Sequence, residues 1–571
     1  MLSFDLGKDE FVELASGIRE PRLIQLLARV DEGSPACSPL ELYYALRSSG
    51  TSGYSYMLES VEKQASRARY SFVGSDPDAV ITINDRKLSF ELLNPKAFTL
   101  FEIIRSNIEK VYGPEAVITG TAKRKNADPG RKEGQTADAK FKDIFTAAIP
   151  KGKDSFDALR LAFPTANGIE LLNAKRFDRQ TFLGGAIGYT AYDAIYDSWL
   201  GVEKGFESEI PELQYLLISK TFVFDHLTDE IYIAVAPLVT PDSDAGTLYE
   251  KALLEAERLC FLLKEAALYG ASIEAVVPGT MKVSGSPVSV CDTDRQKFEE
   301  SVLQAKEHIF AGDIFQAVLS RKCEFNLEQS PFELYLQLRA INPSPYMYLF
   351  EFGDLAIVGA SPETLMTVHK RTLIINPIAG TCPRGKSEIE DKDLASHMLH
   401  DEKERAEHVM LVDLGRNDVR MVSESGSVKV SGFMEVLKYS HVQHIESTVS
   451  GTLRPECDQF DAFRAIFPAG TLSGAPKIRA MEIISDLEAS PRGIYGGGVG
   501  YYSWNGDADF AIVIRTVLMQ GNKASVQAGA GIVADSDPGY EFRETERKMA
   551  AMLTAIEENP EVCIRHKSGV F

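Results

Sequence analysis

An α+β protein with layered sheets covered by helices is what this sequence predicts, and three observations carry that expectation. Runs with strand alternation recur along the 571 residues in even spacing. Longer segments of helical period are interspersed with them, which is the pattern of sheets that need covering layers. Hydrophobic residues make up 44% and charged residues 25%, so the chain can bury large cores and is neither fibrous nor disordered.

The elements follow in order. Residues 1 to about 112 alternate strand-like and helical pieces, with YSFVG (70–74) as a strand and SPLELYYALR (38–47) as a helix. From Gly113 to Asp154 large apolar residues thin out and Lys123, Arg124, Lys125, Arg131 and Lys132 gather, so this segment is expected to be a mobile insertion. Order returns with FLGGAIGYTAYDAIY (182–196), the strands KTFVFDH and EIYIAVAPL, and a helix through YEKALLEAERLCFLLKEA. The Gly-, Val- and Ser-rich run 271–289 marks a boundary between an N-terminal region, 1–270, and a second region, 290–560. Asp292 or Thr293 is then expected to cap a helix ending at Gly312, followed by a strand through IFQAVLSRKCEF.

Composition excludes several classes of function. With 61 basic against 82 acidic residues the net charge is -21, which repels nucleic acid and anionic membrane, and no basic patch offsets it. The first residues, MLSFDLGKDEFVEL, lack a basic and then apolar secretory pattern, and no apolar run reaches membrane-spanning length. Seven scattered cysteines without a CxxC are expected to be reduced packing residues of a cytoplasmic protein.

Four stretches put ionisable groups in apolar or glycine-rich settings. KERAEHVMLVDLGRND (403–418) is a helix that places Glu404, Glu407 and His408 close together on the surface, either as a solvated face or as a site. In QAGAGIVADSDPGYEFRETERK (527–548), Asp537 and Pro538 start a helix on which Glu541 and Glu544 share a face, and Glu544 with Lys548 has the spacing of an ordinary ion pair. Magnesium takes one or two carboxylates plus waters and substrate oxygens, so Glu407 and Glu544 would suffice, although their spacing does not require it. Alternation through DADFAIVIRTV (507–517) puts Ala511, Val513 and Arg515 on one face, with the guanidinium either at a wet strand end or forked toward a carboxylate. FPAGTLSGAPKIRAMEII (467–484) breaks the chain before a helix whose first N–H groups either meet an anion or form a plain turn.

Together with NPSPYMYLF (342–350), GASPET (359–364), PIAGTCPRG (377–385), YGGGVGYY (495–502) and GAGIV (529–533), these stretches give the second region a clear resemblance. It resembles the chorismate-utilising enzymes, and among them the large, aminase components of anthranilate synthases. YMLESVE and RARYSFVG, between Tyr56 and Gly74, are similar as well. The resemblance implies a four-layer α/β/β/α fold with orthogonally packed antiparallel sheets. It implies Mg2+ held by Glu407 and Glu544 with Glu541 beside them. One chorismate carboxylate would then be gripped by Arg515, Tyr495, the backbone of Gly529, Ala530 and Gly531, and Lys548. Glu363 would protonate the departing ring hydroxyl, and His444 and Thr471 would lie near the ring for the later loss of pyruvate.

Two positions separate members of this family. Relatives that make aminodeoxychorismate carry a lysine able to attack the ring where this chain has Ala379, which leaves the ring open to free ammonia. Relatives that add water carry a lysine base where this chain has Gln316, and a neutral amide is a poor base. The expected products are anthranilate and pyruvate. The alternatives are an aminodeoxychorismate synthase component without the lysine, and a non-catalytic protein that senses tryptophan.

None of the seven cysteines sits in the glycine-flanked elbow of a glutamine amidotransferase, so ammonia is expected from a separate amidotransferase subunit in a hetero-oligomer. Leu58, Glu59, Ser60, Pro345, Tyr346, Met347, Val499 and Tyr501 match the family's tryptophan feedback pocket, and the same residues could simply form a core contact between the two regions.

Overall fold

The computed structural model describes residues 2–30, 37–49, 52–60, 69–122, 142–175, 177–269, 290–438 and 442–557. Two large sheets dominate it. The first has 13 strands, running from Ile378–Pro383 through Val442–Thr452, Thr372–Ile375, Thr364–His369, Ala508–Ile512 and Gly498–Ser503 to Gly185–Thr190 and on to Val117–Ala122. The second has 12, running from Val290–Cys291 through Gln316–Asn326, Lys523–Ile532, Thr516–Gln520, Leu355–Ser361 and Tyr346–Phe352 to Tyr54–Glu59 and on to Leu26–Arg29.

Three cores give the layering. One core joins the first sheet to the helices Phe98–Tyr112, Ser155–Leu161 and Gln459–Ile466. A second joins the other sheet to the helices Pro39–Ser49, Ala245–Ala266, Pro331–Ile341 and Pro538–Glu557. Between the sheets lies a third, rich in aromatic rings, with Tyr56, Phe72, Tyr189, Tyr348, Phe350 and Tyr501 drawn from both. The order is therefore helices, sheet, sheet, helices.

Both sheets cross between the chain's two regions. In one, Gly188 is the Cα partner of Gly500; in the other, Leu58 is the partner of Tyr348. The glycines at the first seam are required, because a Cβ on Gly188 or Gly500 would meet a neighbouring carbonyl oxygen at 2.1 or 2.0 Å.

Several sequence expectations need correction. The expected insertion 113–154 is bounded by paired strands, Val117–Ala122 and Lys142–Ala148, so only its centre lies outside the described residues, as does the boundary run 271–289 apart from its surroundings. The helix Arg295–Ala311 is capped by Asp294, whose carboxylate accepts from Lys297 N–H, and not by Asp292 or Thr293; it does end at Gly312 in the left-handed conformation. Cys291 and Cys323 are not reduced: they face each other across paired strands and are joined as a disulfide, a contact hidden by 32 residues of separation. Cys37, Cys260, Cys382 and Cys457 carry thiols outside any disulfide, and Cys563 lies outside the described residues. No helix among the described residues is long and apolar enough to cross a membrane.

Candidate active site

Glu363 follows the strand Leu355–Ser361, and its carboxylate accepts a 2.8 Å hydrogen bond from Thr471 Oγ1. Thr471 lies in the short 3-10 turn Gly470–Leu472, just before the helix Lys477–Leu487. Burial pushes the Glu363 carboxyl up to about 7; the Thr471 bond and the charges of Lys548 and Arg515 pull against this, and Glu446 adds to it. Near neutral pH the group can therefore hold a proton, as a general acid must.

Arg515 lies on no strand. The expected alternation breaks, because Ala508–Ile512 and Thr516–Gln520 belong to different sheets and the chain turns between them with Arg515 at φ 50°. A positive φ is uncommon for a residue with a Cβ and marks a constrained turn. This turn swings the guanidinium to where its charge acts on both Glu363 and His444.

His444 Nδ1 lies 2.7 Å from the Gly380 carbonyl, which fixes the proton on Nδ1 and leaves the lone pair on Nε2. Burial, followed by the Gly380 bond in the opposite sense and the Arg515 charge, leaves its pKa below the usual histidine range. The adjoining Ala379 is buried and pairs with Ile445, so its methyl group lies one strand from His444.

The glycine-rich strand Lys523–Ile532 forms another wall. A Cβ on Gly529 would lie 2.8 Å from both the Leu319 carbonyl oxygen and Tyr495 Oη, so that close approach needs glycine, whereas one on Gly531 would meet only the end of the Gln316 side chain, at 2.7 Å. Lys548 Nζ donates to the Gly529 carbonyl at 3.0 Å and sits 3.8 Å from Glu544. Tyr495 is buried beside Arg492 and feels the charge of Glu363.

The carboxylates come from two helices, Glu402–Arg420 and Pro538–Glu557. Gln316 Nε2 lies 3.5 Å from Glu407 Oε1, while the buried Gln316 Oε1 has no hydrogen-bond partner among the described residues. Burial lifts the Glu541 carboxyl above its ordinary range; Ser536 opposes this, Glu544 adds to it, and Lys403 on the other helix pulls it back. Burial likewise raises Glu404, with Glu407 adding to it. Glu404 escaped the site expected from sequence, although its spacing from Glu407 was visible; its Oε2 would lie 3.1 Å from a Cβ on Gly380, beside the His444 anchor. Glu446 escaped too: it is buried two residues from His444 on the same strand face, a signal that alternation alone could have given. His408, expected on the surface, is fully buried and hydrogen-bonded to Ser447 Oγ at 2.7 Å, because that helix face packs on Val442–Thr452.

Among the described residues no three His, Cys, Asp or Glu side chains gather closely enough to hold a metal ion. The carboxylates act on one another within each helix, Glu407 on Glu404 and Glu544 on Glu541, and all their donor atoms are oxygens. Such a set fits a hard cation that keeps waters and substrate oxygens in its shell.

A second cavity, of about 540 Å³ including its open mouth, contains all eight residues expected for a feedback pocket: Leu58, Glu59, Ser60, Pro345, Tyr346, Met347, Val499 and Tyr501. Tyr70 and Phe72 complete its aromatic wall, and Arg69, Arg179, Gln180 and Asp509, which the sequence reading missed, supply polar atoms. Glu59 accepts two 2.8 Å bonds from Arg339 and one from Tyr335, and Arg69 forks onto Asp225. Ser60 Oγ donates to the Pro345 carbonyl at 3.1 Å, and the buried Tyr501 hydroxyl has no hydrogen-bond partner among the described residues.

A family profile described as chorismate binding enzyme matches residues 123–554. The chain belongs to this family. Its relatives include the anthranilate synthase component 1 of Haloferax volcanii, 43% identical over 97% of this chain and 98% of that protein. The protein of the same name from Thermococcus kodakarensis is 40% identical over 91% and 97%. The crystal structure of anthranilate synthase component I from Streptococcus pneumoniae superposes with a TM-score of 0.60 at 32% identity, covering 86% of this chain and 94% of that one. The menaquinone-specific isochorismate synthase of Escherichia coli shares the fold, with a TM-score of 0.58 at 16% identity over 96% and 98% of the two chains.

Proposed function

We propose that this chain converts chorismate and ammonia to anthranilate and pyruvate. The observation that carries this reading is a carboxyl pushed up to about 7 by burial, Glu363, under the charges of Lys548 and Arg515, with His444 under the same Arg515 charge and an alanine where a competing amine would stand. Arg515 and the Gly529–Gly531 backbone hold a substrate carboxylate, and Tyr495 closes that wall. Glu363 gives its proton to the departing ring hydroxyl, which leaves as water while ammonia adds. His444, neutral and fixed by Gly380, is oriented to take the ring proton when pyruvate departs. Gln316 cannot act as a base, which disfavours addition of water.

Glu407 and Glu544, with Glu541 beside them, are the residues that would hold Mg2+, and Glu404 joins them. The ion would supply neutralisation and orientation of a substrate carboxylate. Ammonia comes from a separate glutamine amidotransferase subunit, and the aromatic cavity takes tryptophan as a feedback inhibitor; the match between its lining and the eight expected residues supports that part.

The test is direct. Purified protein with chorismate, an ammonium salt and Mg2+ should form fluorescent anthranilate, chelation should stop it, and tryptophan should slow it. Accumulation of isochorismate or 4-amino-4-deoxychorismate as the final product would sink the reading.

A further inference from the structure

We propose that the paired hydroxyls of Tyr346 and Thr364 position the Glu363 carboxyl and transmit to it the occupancy of the aromatic cavity. This rests on the reading of Glu363 as the acid and of the cavity as an effector site.

Tyr346 lines the aromatic cavity, and Thr364 lines the cavity that holds Glu363 and Thr471. Their hydroxyl oxygens are 3.0 Å apart, and Tyr346 Oη donates its single proton to Asp509 Oδ1 at 2.9 Å. Thr364 must then be the donor in the hydroxyl pair. Thr364 directly follows Glu363, so its rotamer and the acid's backbone are linked.

Two further connections run in parallel. In the ladder between Tyr346–Phe352 and Leu355–Ser361, Tyr346 is the partner of Ser361, whose hydroxyl contacts the Glu363 backbone at 3.4 Å. The strand Ala508–Ile512 carries Asp509 at one end, held by Gln180 Nε2 at 3.0 Å, and Ile512 at the other, where its N–H donates to the Glu363 carbonyl at 3.0 Å. Three residue steps of extended chain, about 10 Å, separate Asp509 from Ile512. A ligand that moves Tyr346 or draws on Asp509 must disturb all three connections. The two cavities thus share one short, rigid hydrogen-bonded unit, the kind of element through which coupling between sites acts.

The experiment uses the full chain with ammonium as nitrogen donor and reads kcat, KM for chorismate, the pH profile, and L-tryptophan binding by calorimetry. Thr364→Val removes one hydroxyl at nearly constant shape. It should lower kcat roughly 3- to 10-fold, the worth of one hydrogen bond, with KM little changed. It should also move the alkaline limb, which depends on Glu363 among Thr471, Arg515, Lys548, Tyr495 and Glu446. Tryptophan should still bind, but the ratio of activities with and without saturating tryptophan should fall to within about twofold of unity, where allosteric couplings ordinarily span about 5- to 150-fold. Thr364→Ser, which keeps the hydroxyl, should restore both readouts. Tyr346→Phe is the second probe, judged at saturating tryptophan so that altered affinity does not enter.

Full coupling and an unmoved alkaline limb in Thr364→Val would overturn the proposal. Absence of tryptophan binding to the unmodified protein would instead refute the effector reading, and the pH profile would still decide the positioning role.

Discussion

The Glu363 cavity and the aromatic cavity share the strand Ala508–Ile512, yet their charged groups are partnered to different degrees. Around Glu363, burial displaces pKa values: Glu363, Glu404 and Glu541 rise and His444 falls. In the aromatic cavity Glu59 is paired with Arg339 and Arg69 with Asp225, burial raises the Asp509 carboxyl against bonds from Gln180 and Tyr346, and the walls are rings packed between two sheets. The first region holds groups out of their preferred protonation state, which catalysis uses. The second pairs Glu59 and Arg69 internally and walls its space with rings, so a ligand there is recognised by shape and a few polar atoms.

The comparison can be broken most severely at Glu363. Glu363→Gln should cost about 10²- to 10⁴-fold in kcat for ammonia-driven turnover, the usual worth of general acid catalysis, while calorimetry shows tryptophan still bound. A variant that retains near-normal kcat would remove Glu363 from the chemistry. Arg515→Ala comes next: loss of a charge-assisted contact worth about 1.5–3 kcal/mol predicts a roughly 10- to 150-fold lower kcat/KM for chorismate. An unchanged kcat/KM would place Arg515 outside the substrate site.

On the other side, Ser60→Phe fills the aromatic cavity and should weaken tryptophan at least about tenfold, or ~1.4 kcal/mol, with turnover retained. Unaltered inhibition would count against the effector reading. The smallest effect is expected for Thr471→Val. The Thr471 bond holds the Glu363 carboxyl down, so removing it should move the alkaline limb of the rate profile, set by a group near 7, to higher pH. A limb displaced to lower pH would reverse the assigned role of that bond.

Much of the fold was legible because it is local. The Pro538 helix start, the Gly312 helix end and the helix carrying Glu407 follow from capping signals and period. Local reasoning failed where the chain changes partners. Alternation continued through Val513 to Arg515 on paper, whereas the chain there leaves one sheet for the other. Helical period put His408 beside Glu407 without showing that this face meets a strand, and spacing gave no hint that Cys291 opposes Cys323.

The sequence by itself determined which side chains exist to do chemistry, and the motif order that assigns them to a family, because these depend on residue identity and short spacing. Only the tertiary structure decided their protonation and their company. The approach of Lys548 to Gly529, the burial that lifts Glu363, and the hydroxyl pair of Tyr346 and Thr364 all join residues remote in sequence or belonging to different strands. Desolvation and hydrogen bonding act through space, and no pattern along the chain encodes those distances.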